Sequence, residues 1–289
     1  MTTHESQKAL LRAYRDRWRA VEAIEIAEQR AATVEQRWRQ LNAIVGLAIG
    51  LGLWPAEDAY VHIARQRWAK LKGAGHPERI DQFIDAHPIY PRWRPKDGPI
   101  MTESGEIAHL VAALAAVQRL LVHFNDQGIV IGGVAASLLG KPRLTRDVDV
   151  TVLLSIEDVP ELIRAAADAG LVPRIADAED FARQSRVVLL QHQGSNINVD
   201  ISLGVLPFEV EAVQRSSIHQ IGSVRVRLPT PEDLIIFKAI AHRSRDLLDI
   251  QDLIQTNQEL DRERIGYWVG EFAQLLEMPE LWTDIAGWL

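Results

Sequence analysis

Ile131-Gly132-Gly133-Val134-Ala135, followed downstream by Arg143-Leu144-Thr145-Arg146-Asp147-Val148-Asp149-Val150, is the stretch on which the reading of this chain turns. Residues 129–131 form a short apolar run that reads as a buried strand, and residues 134–139 read as a helix. Between them, Gly132 and Gly133 let backbone N–H groups approach a ligand with no side chain in the way. The helix that follows would turn its positive end towards an anion, so both glycines are expected exposed in a cleft that holds phosphate. Asp147 and Asp149 alternate with Val148 and Val150 on a second strand, which puts both carboxylates on one face. Two carboxylates beside a phosphate cradle suit Mg2+ with a bound triphosphate. Each piece alone is weak, since a Gly-Gly pair is usually a turn and an Asp-x-Asp is usually surface charge. Two parallel carboxylates beside apolar valines nevertheless repel each other unless a cation joins them.

Working outward, residues 104–125 carry an apolar stripe of Ile107, Leu110, Val111, Leu114, Val117, Leu120 and Leu121 at helical spacing, and Gly128 marks its end. Strands are expected over 147–154, 186–191, 196–203 and 224–228, with the middle two paired around His192-Gln193-Gly194-Ser195. A helix is expected over 157–169. From Pro231 onward the pattern is helical, over 231–241, 245–255 and 262–276, with a final piece near Trp282.

The N-terminal hundred residues differ in character. Residues 4–39 read as one long amphipathic helix, with Leu10, Leu11, Tyr14, Trp18, Val21, Ile24 and Ala27 on its stripe. Two further helices are expected over 41–51 and 55–72, with Pro55 opening the second. Pro77, Pro88, Pro91, Pro95 and Pro99 then mark an extended linker. Met101-Thr102-Glu103-Ser104 resembles the opening of a new protein, as if two coding units were joined, although chance also produces such a stretch. The expected organisation is a helical module at 1–72, a Pro-rich linker at 73–100, a core at 101–228 and a helical part at 229–289.

The 289 residues are 47% hydrophobic and 25% charged, an ordinary globular balance. With no cysteine, disulfides, thiolate ligands and a cysteine nucleophile are excluded. The first residues lack the apolar core of a signal peptide, and the most apolar stretch, 43–54, is too short to span a bilayer. These features point to a cytoplasmic protein with no membrane partner. Residues 1–100 carry 16 Lys+Arg against 12 Asp+Glu, a net of +4, while the remainder carries 16 against 27, a net of −11. An acidic body is not the footprint of a protein that coats nucleic acid. The basic part could dock on that body or touch RNA. Trp18, Trp38, Trp68 and Trp93 each follow an arginine. Such pairs can stack bases, but they arise more often where arginine stems lie along a helix whose tryptophan packs inward.

Gly132-Gly133, then Arg143-x-Thr145-x-Asp147-x-Asp149, resembles the signature of the polymerase-beta-type nucleotidyltransferase superfamily. That superfamily has a third carboxylate on a neighbouring strand, and Asn198-Val199-Asp200-Ile201 supplies one. Further on, residues 229–238 and Arg243-Ser244-Arg245-Asp246-Leu247-Leu248-Asp249-Ile250 are similar to the AbiEii-like branch, the nucleotidyltransferase toxins of type IV toxin–antitoxin systems. The resemblance covers residues 104–255 and says little about 1–100. It implies an α+β fold: a small mixed-sheet nucleotidyltransferase core with C-terminal helices, here preceded by an all-α module. It further implies Asp147, Asp149 and Asp200 as ligands of Mg2+ (or Mn2+), with Asp200 also helping to deprotonate the attacking hydroxyl. Gly132, Gly133, Arg143, Thr145 and Lys238 are implied as nucleotide-binding, and Lys238 and Asp249 as catalytic, with Asp246 beside Asp249. Read from residues alone, Lys238 could equally be a solvated lysine. Asp246 and Asp249 could equally be a charged helix surface paired with Arg243 or Arg245.

The expected function is therefore transfer of a nucleoside monophosphate from an NTP to an acceptor hydroxyl, on a tRNA 3′ end or a protein, by a toxin-like enzyme. The rival readings are a catalytically dead scaffold and a regulatory toxin–antitoxin binding protein. In a further variant, residues 1–100 act as an antitoxin-like or nucleic-acid-binding module fused to a self-inhibited toxin, whether by intramolecular docking or alongside a separate antitoxin partner.

Overall fold

The structure is a computed structural model that describes residues 3–31, 105–141, 145, 147–221 and 223–289. The two helices expected over 41–72, the proline-rich stretch, Met101 and Arg143 lie outside the described residues.

The first described element is helix α1, Thr3–Ala31, and the next is α2, Gly105–His123. Strand β1 (Gly128–Ile131) runs straight into α3 (Gly132–Leu139), and β2 spans Asp147–Val152. A 3-10 turn at Ile156–Asp158 leads into α4, Val159–Asp168, with a proline in its first turn, where no backbone donor is needed. Then come β3 (Leu171–Pro173), α5 (Ala178–Ser185), β4 (Val187–His192) and β5 (Asn198–Leu203). Helix α6 (Pro207–Arg215) precedes a two-stranded ribbon of β6 (Ser217–Ile221) and β7 (Val224–Leu228). The chain closes with α7 (Pro231–Ala241), α8 (Ser244–Thr256), α9 (Arg262–Leu276) and α10 (Glu280–Ala286).

The main sheet has the order β1-β2-β5-β4-β3. Only the β2–β5 pair is parallel; the other pairs are antiparallel, so the sheet is mixed and the fold is α+β. Four elements are additions to the expected set: β3, α5, α6 and β6. Strand β3 is three residues long and ends in a proline, which an edge strand tolerates because one side of its ladder is open. So short a run carries no readable alternation. Strand β6 is mostly exposed and lacks the buried face that makes a pattern visible.

Register decides the chemistry of each face. Along β2 and β5, Asp149 lies beside Asp200 and Thr151 beside Ser202, and the two hydroxyls are 2.9 Å apart. Asp147, Asp149, Thr151, Asn198, Asp200 and Ser202 therefore share one face. Val148, Val150, Val152, Val199, Ile201 and Leu203, all fully buried, share the other. That apolar face joins the core formed with Leu114 and Val117 of α2 and Leu162 and Ala166 of α4. Helix α1 is seated on the opposite, polar face. Its Val21 packs on Val187 and Leu189, and Leu189 is the register partner of Asp200. Leu11 and Tyr14 of the same helix enter the main core. Among the described residues no helix is long and apolar enough to cross a membrane.

Candidate active site

The two glycines differ in role. Gly132 has φ +64, in the left-handed region, and a Cβ placed there would lie 1.7 Å from Asp149 Oδ2. Both observations require glycine: the turn from β1 into α3 is too tight for an L side chain, and the carboxylate occupies the space where one would sit. The Gly133 backbone N–H donates to the same carboxylate. The helix therefore begins at Gly132 rather than Val134, and its N-terminus is aimed at Asp149. Gly133 is buried and Gly132 half-buried, unlike the exposed pair expected, because the carboxylate fills the cradle.

Asp147 and Asp149 are both half-buried. Thr145, itself buried, donates from its hydroxyl to the Asp147 carboxylate at 3.2 Å and to the Asp147 backbone carbonyl at 3.2 Å. In this arrangement Thr145 orients a carboxylate. Burial, and then the neighbouring Asp147 charge, push the Asp149 carboxyl up to about 6; Arg243, Lys238 and the Gly133 N–H act in the opposite direction without cancelling the rise.

Lys238 is not on the surface: it is 3% exposed and lies inside the fold. Thr230 caps α7 by accepting from the Asp233 backbone N–H at 3.2 Å, and Pro231 follows at the first helical position, so the helix start is firmly placed. The helix ends where His242 turns left-handed, with φ +52. That tight connection folds α8 back so that Asp246 and Asp249, one turn apart, both reach Lys238 Nζ, at 3.3 and 2.6 Å. Arg243 adds its Nε to Asp246 at 2.7 Å. Burial alone would raise the Asp246 carboxyl, but Lys238 and Arg243 outweigh it and hold it below the usual carboxylate range. All three motif residues are thus buried, and neither the solvated lysine nor the charged helix surface is what forms.

Asp200 is 0% exposed and lies on the same face as Asp149, as expected of a third carboxylate. Its partner was not foreseen: Arg174 Nη2 lies 2.8 and 3.0 Å from its two carboxylate oxygens. Arg174 Nη1 in turn meets Glu28 Oε2 of α1 at 2.6 Å. Arg174 directly follows β3, whose ladder its backbone N–H extends by donating to Leu189 at 3.1 Å. Since that strand has no sequence signature, neither did the arginine. Among the described residues no three carboxylate or imidazole groups converge as they would around a metal ion.

The family described as "Nucleotidyl transferase AbiEii toxin, Type IV TA system" matches residues 115–277, more than half of the chain. The chain belongs to that family of nucleotidyltransferases. No curated protein matches it. Among solved structures, an antigenic nucleotidyltransferase-like protein from Paracoccidioides brasiliensis is 15% identical, covers 61% of this chain and 92% of its own, and has a TM-score of 0.39. A candidate nucleotidyltransferase from H. pylori is 17% identical, covers 62% of this chain and 80% of its own, and has a TM-score of 0.34. Both likenesses are too low to add to the family match.

Proposed function

We propose that this chain transfers a nucleoside monophosphate from an NTP to an acceptor hydroxyl, on a tRNA 3′ end or on a protein, with Mg2+ as its resident ion and Mn2+ as the substitute. The observation that carries this reading is the Asp147–Asp149 pair, seated against the N-terminus of α3. A carboxyl raised to about 6 by burial and a like charge is short of positive charge. A hard divalent cation with oxygen ligands relieves that shortage, so the pair fits the ion. When bound, Mg2+ supplies Lewis acidity to the triphosphate.

Asp147 and Asp149 are the residues that would hold the ion, and Thr145 fixes the orientation of Asp147. The backbone at Gly132 and Gly133 would receive phosphate oxygens once Asp149 turns to the ion. Arg143 would bind the same phosphates. Lys238, close enough to lower the Asp149 carboxyl electrostatically, would add an ammonium charge on the phosphate side of the pair. Asp249 anchors Lys238 in place. In the reaction, the acceptor oxygen forms a bond to the α-phosphorus while the bond from that phosphorus to the bridging oxygen breaks. Pyrophosphate leaves, and Asp200, as the third carboxylate, would take the hydroxyl proton once its oxygens are no longer held by Arg174. An antitoxin partner and a cytoplasmic setting belong to the same reading.

The test is incubation of the protein with each labelled NTP, Mg2+ and total cellular RNA or protein, beside Asp149→Ala. Label carried onto a macromolecule by the wild type and lost in the variant supports the proposal. Equal labelling by both proteins overturns it.

A further inference from the structure

Asp200 is placed like a metal-site carboxylate but is not free to act as one. It is fully buried, and both its oxygens are taken by one guanidinium nitrogen of Arg174. Arg174, with only 4% of its side chain exposed, is held from the other side by Glu28. Asn198 Nδ2 also reaches Glu28, at 3.4 Å. Glu28 belongs to α1, which lies outside the residues that match the family. That helix sits on the polar sheet face through Val21, and it is fastened further along by Arg17, whose Nη2 meets Glu209 at 2.8 Å and whose Nη1 donates to the Leu203 carbonyl at 3.2 Å. Lys8 pairs with Glu277 at the far end.

The seat of α1 is part apolar and part polar, and its polar part is imperfectly matched. Arg17 Nε and Arg174 Nε are buried there without a hydrogen-bond partner. Each such group costs about 1–3 kcal/mol, which offsets part of what Leu11, Tyr14 and Val21 contribute by burial.

We propose that α1 is a built-in latch on the third carboxylate: Glu28 fixes Arg174 on Asp200, and in this position Asp200 can neither ligate a cation nor accept a proton. Lifting α1 removes the anchor on Nη1. The Arg174 guanidinium is then free to turn away from Asp200, and Asp200 joins Asp149, its neighbour across β2 and β5. The latch regulates the same site as the nucleotidyl transfer proposed above and rests on that reading, but it makes a separate claim about cation binding.

The experiment measures Mn2+ binding to the full-length, nucleotide-free protein by electron paramagnetic resonance. Glu28→Ala is the first variant; it places a good helix former at a partly exposed helical position. Arg174→Gln is the second, and Asp149→Ala is the control expected to lose the site. Both latch variants should bind Mn2+ about tenfold more tightly than wild type, within the range usual for coupled sites. A bis-maleimide bridge between Lys8→Cys and Glu277→Cys, in a chain with no other cysteine, should leave the affinity of the protein that keeps Glu28 at or below the wild-type level, whereas Glu28→Ala should still tighten binding with the bridge in place, because the anchor on Arg174 is lost. Unchanged or weaker Mn2+ binding in folded Glu28→Ala overturns the latch. If Glu28→Ala binds Mn2+ more tightly while no NTP is ever transferred, the latch stands and the proposed activity falls.

Discussion

Two groups of charge, one buried and one half-buried, lie near each other in this molecule, and they are balanced in opposite ways. On α7 and α8, Lys238 and Arg243 sit among Asp246 and Asp249, and the Asp246 carboxyl is held below its usual range. On β2, Asp149 is pressed between a helix start and a second carboxylate, and its carboxyl is raised to about 6. Both places withdraw aspartates from water, fully on α8 and partly on β2, but one brings its own cations and the other leaves its carboxyl pair short of positive charge. The first arrangement is a finished structural element. The second is stable only at a cost, which a cation from solution can offset.

The largest effect belongs to Asp149. Asp149→Ala should reduce nucleotidyl transfer by at least about a thousandfold, the scale carried by one well-placed electrostatic group. The metal-free protein should lose no stability, because a disfavoured charge has been removed. Thermal unfolding beside the transfer assay checks both halves, and a stable variant with near-wild-type turnover moves the chemistry elsewhere.

Lys238→Ala should show the opposite pattern in stability. It leaves Asp246 and Asp249 buried without their ammonium, a loss of about 3–5 kcal/mol. Urea denaturation should find it, and a midpoint equal to wild type would remove the distinction drawn here.

Titration sharpens the same contrast. Asp149 has a folded value above its ordinary 3.8, so its contribution is fully present below pH 3.8 and is lost as pH rises through about 6. Without a divalent ion, stability should fall by roughly 3 kcal/mol across that window. Asp246 has the reverse sign: its contribution is present at neutral pH and lost on acidification below the ordinary carboxylate range. Carboxyl NMR titration with and without Mg2+ separates the two: near neutral pH the Asp149 resonance should respond to the ion and the Asp246 resonance should not.

The smallest effect belongs to Thr145→Val. It removes one hydroxyl bond to the Asp147 carboxylate, worth about 1.5 kcal/mol, so turnover should fall by roughly tenfold with little change in stability. A loss as large as that of Asp149→Ala would make Thr145 part of the chemistry rather than a support for it.

What could be read in the sequence was local. The Asp147-x-Asp149 alternation, the helix from Pro231 and the strand at 224–228 each carry their signal within a few residues, and each forms where expected, while the Gly132-Gly133 turn forms with its helix starting two residues early and its glycines covered by Asp149. The burial of Lys238 was not local. It depends on His242 turning left-handed and sending α8 back along α7, which an isolated lysine does not announce. For Trp18 the packing alternative holds: its ring lies partly buried against the core, with the Arg17 guanidinium buried beside Tyr14. The other Arg-Trp pairs lie outside the described residues.

The sequence by itself determined which side chains are set beside the turn into α3, because period-2 alternation and the glycine requirement are properties of neighbouring residues along one backbone. It set Asp147 and Asp149 on one face and put a helix start beside them. Only the tertiary structure decided what each charge meets. Asp200 faces Asp149 through a parallel register that no stretch of chain encodes alone. Arg174 arrives on an edge strand of three residues, and Glu28 reaches it from a helix 146 positions away. Charge pairing over such separations is settled by which surfaces the packed elements bring together, and the state of the third carboxylate was settled there.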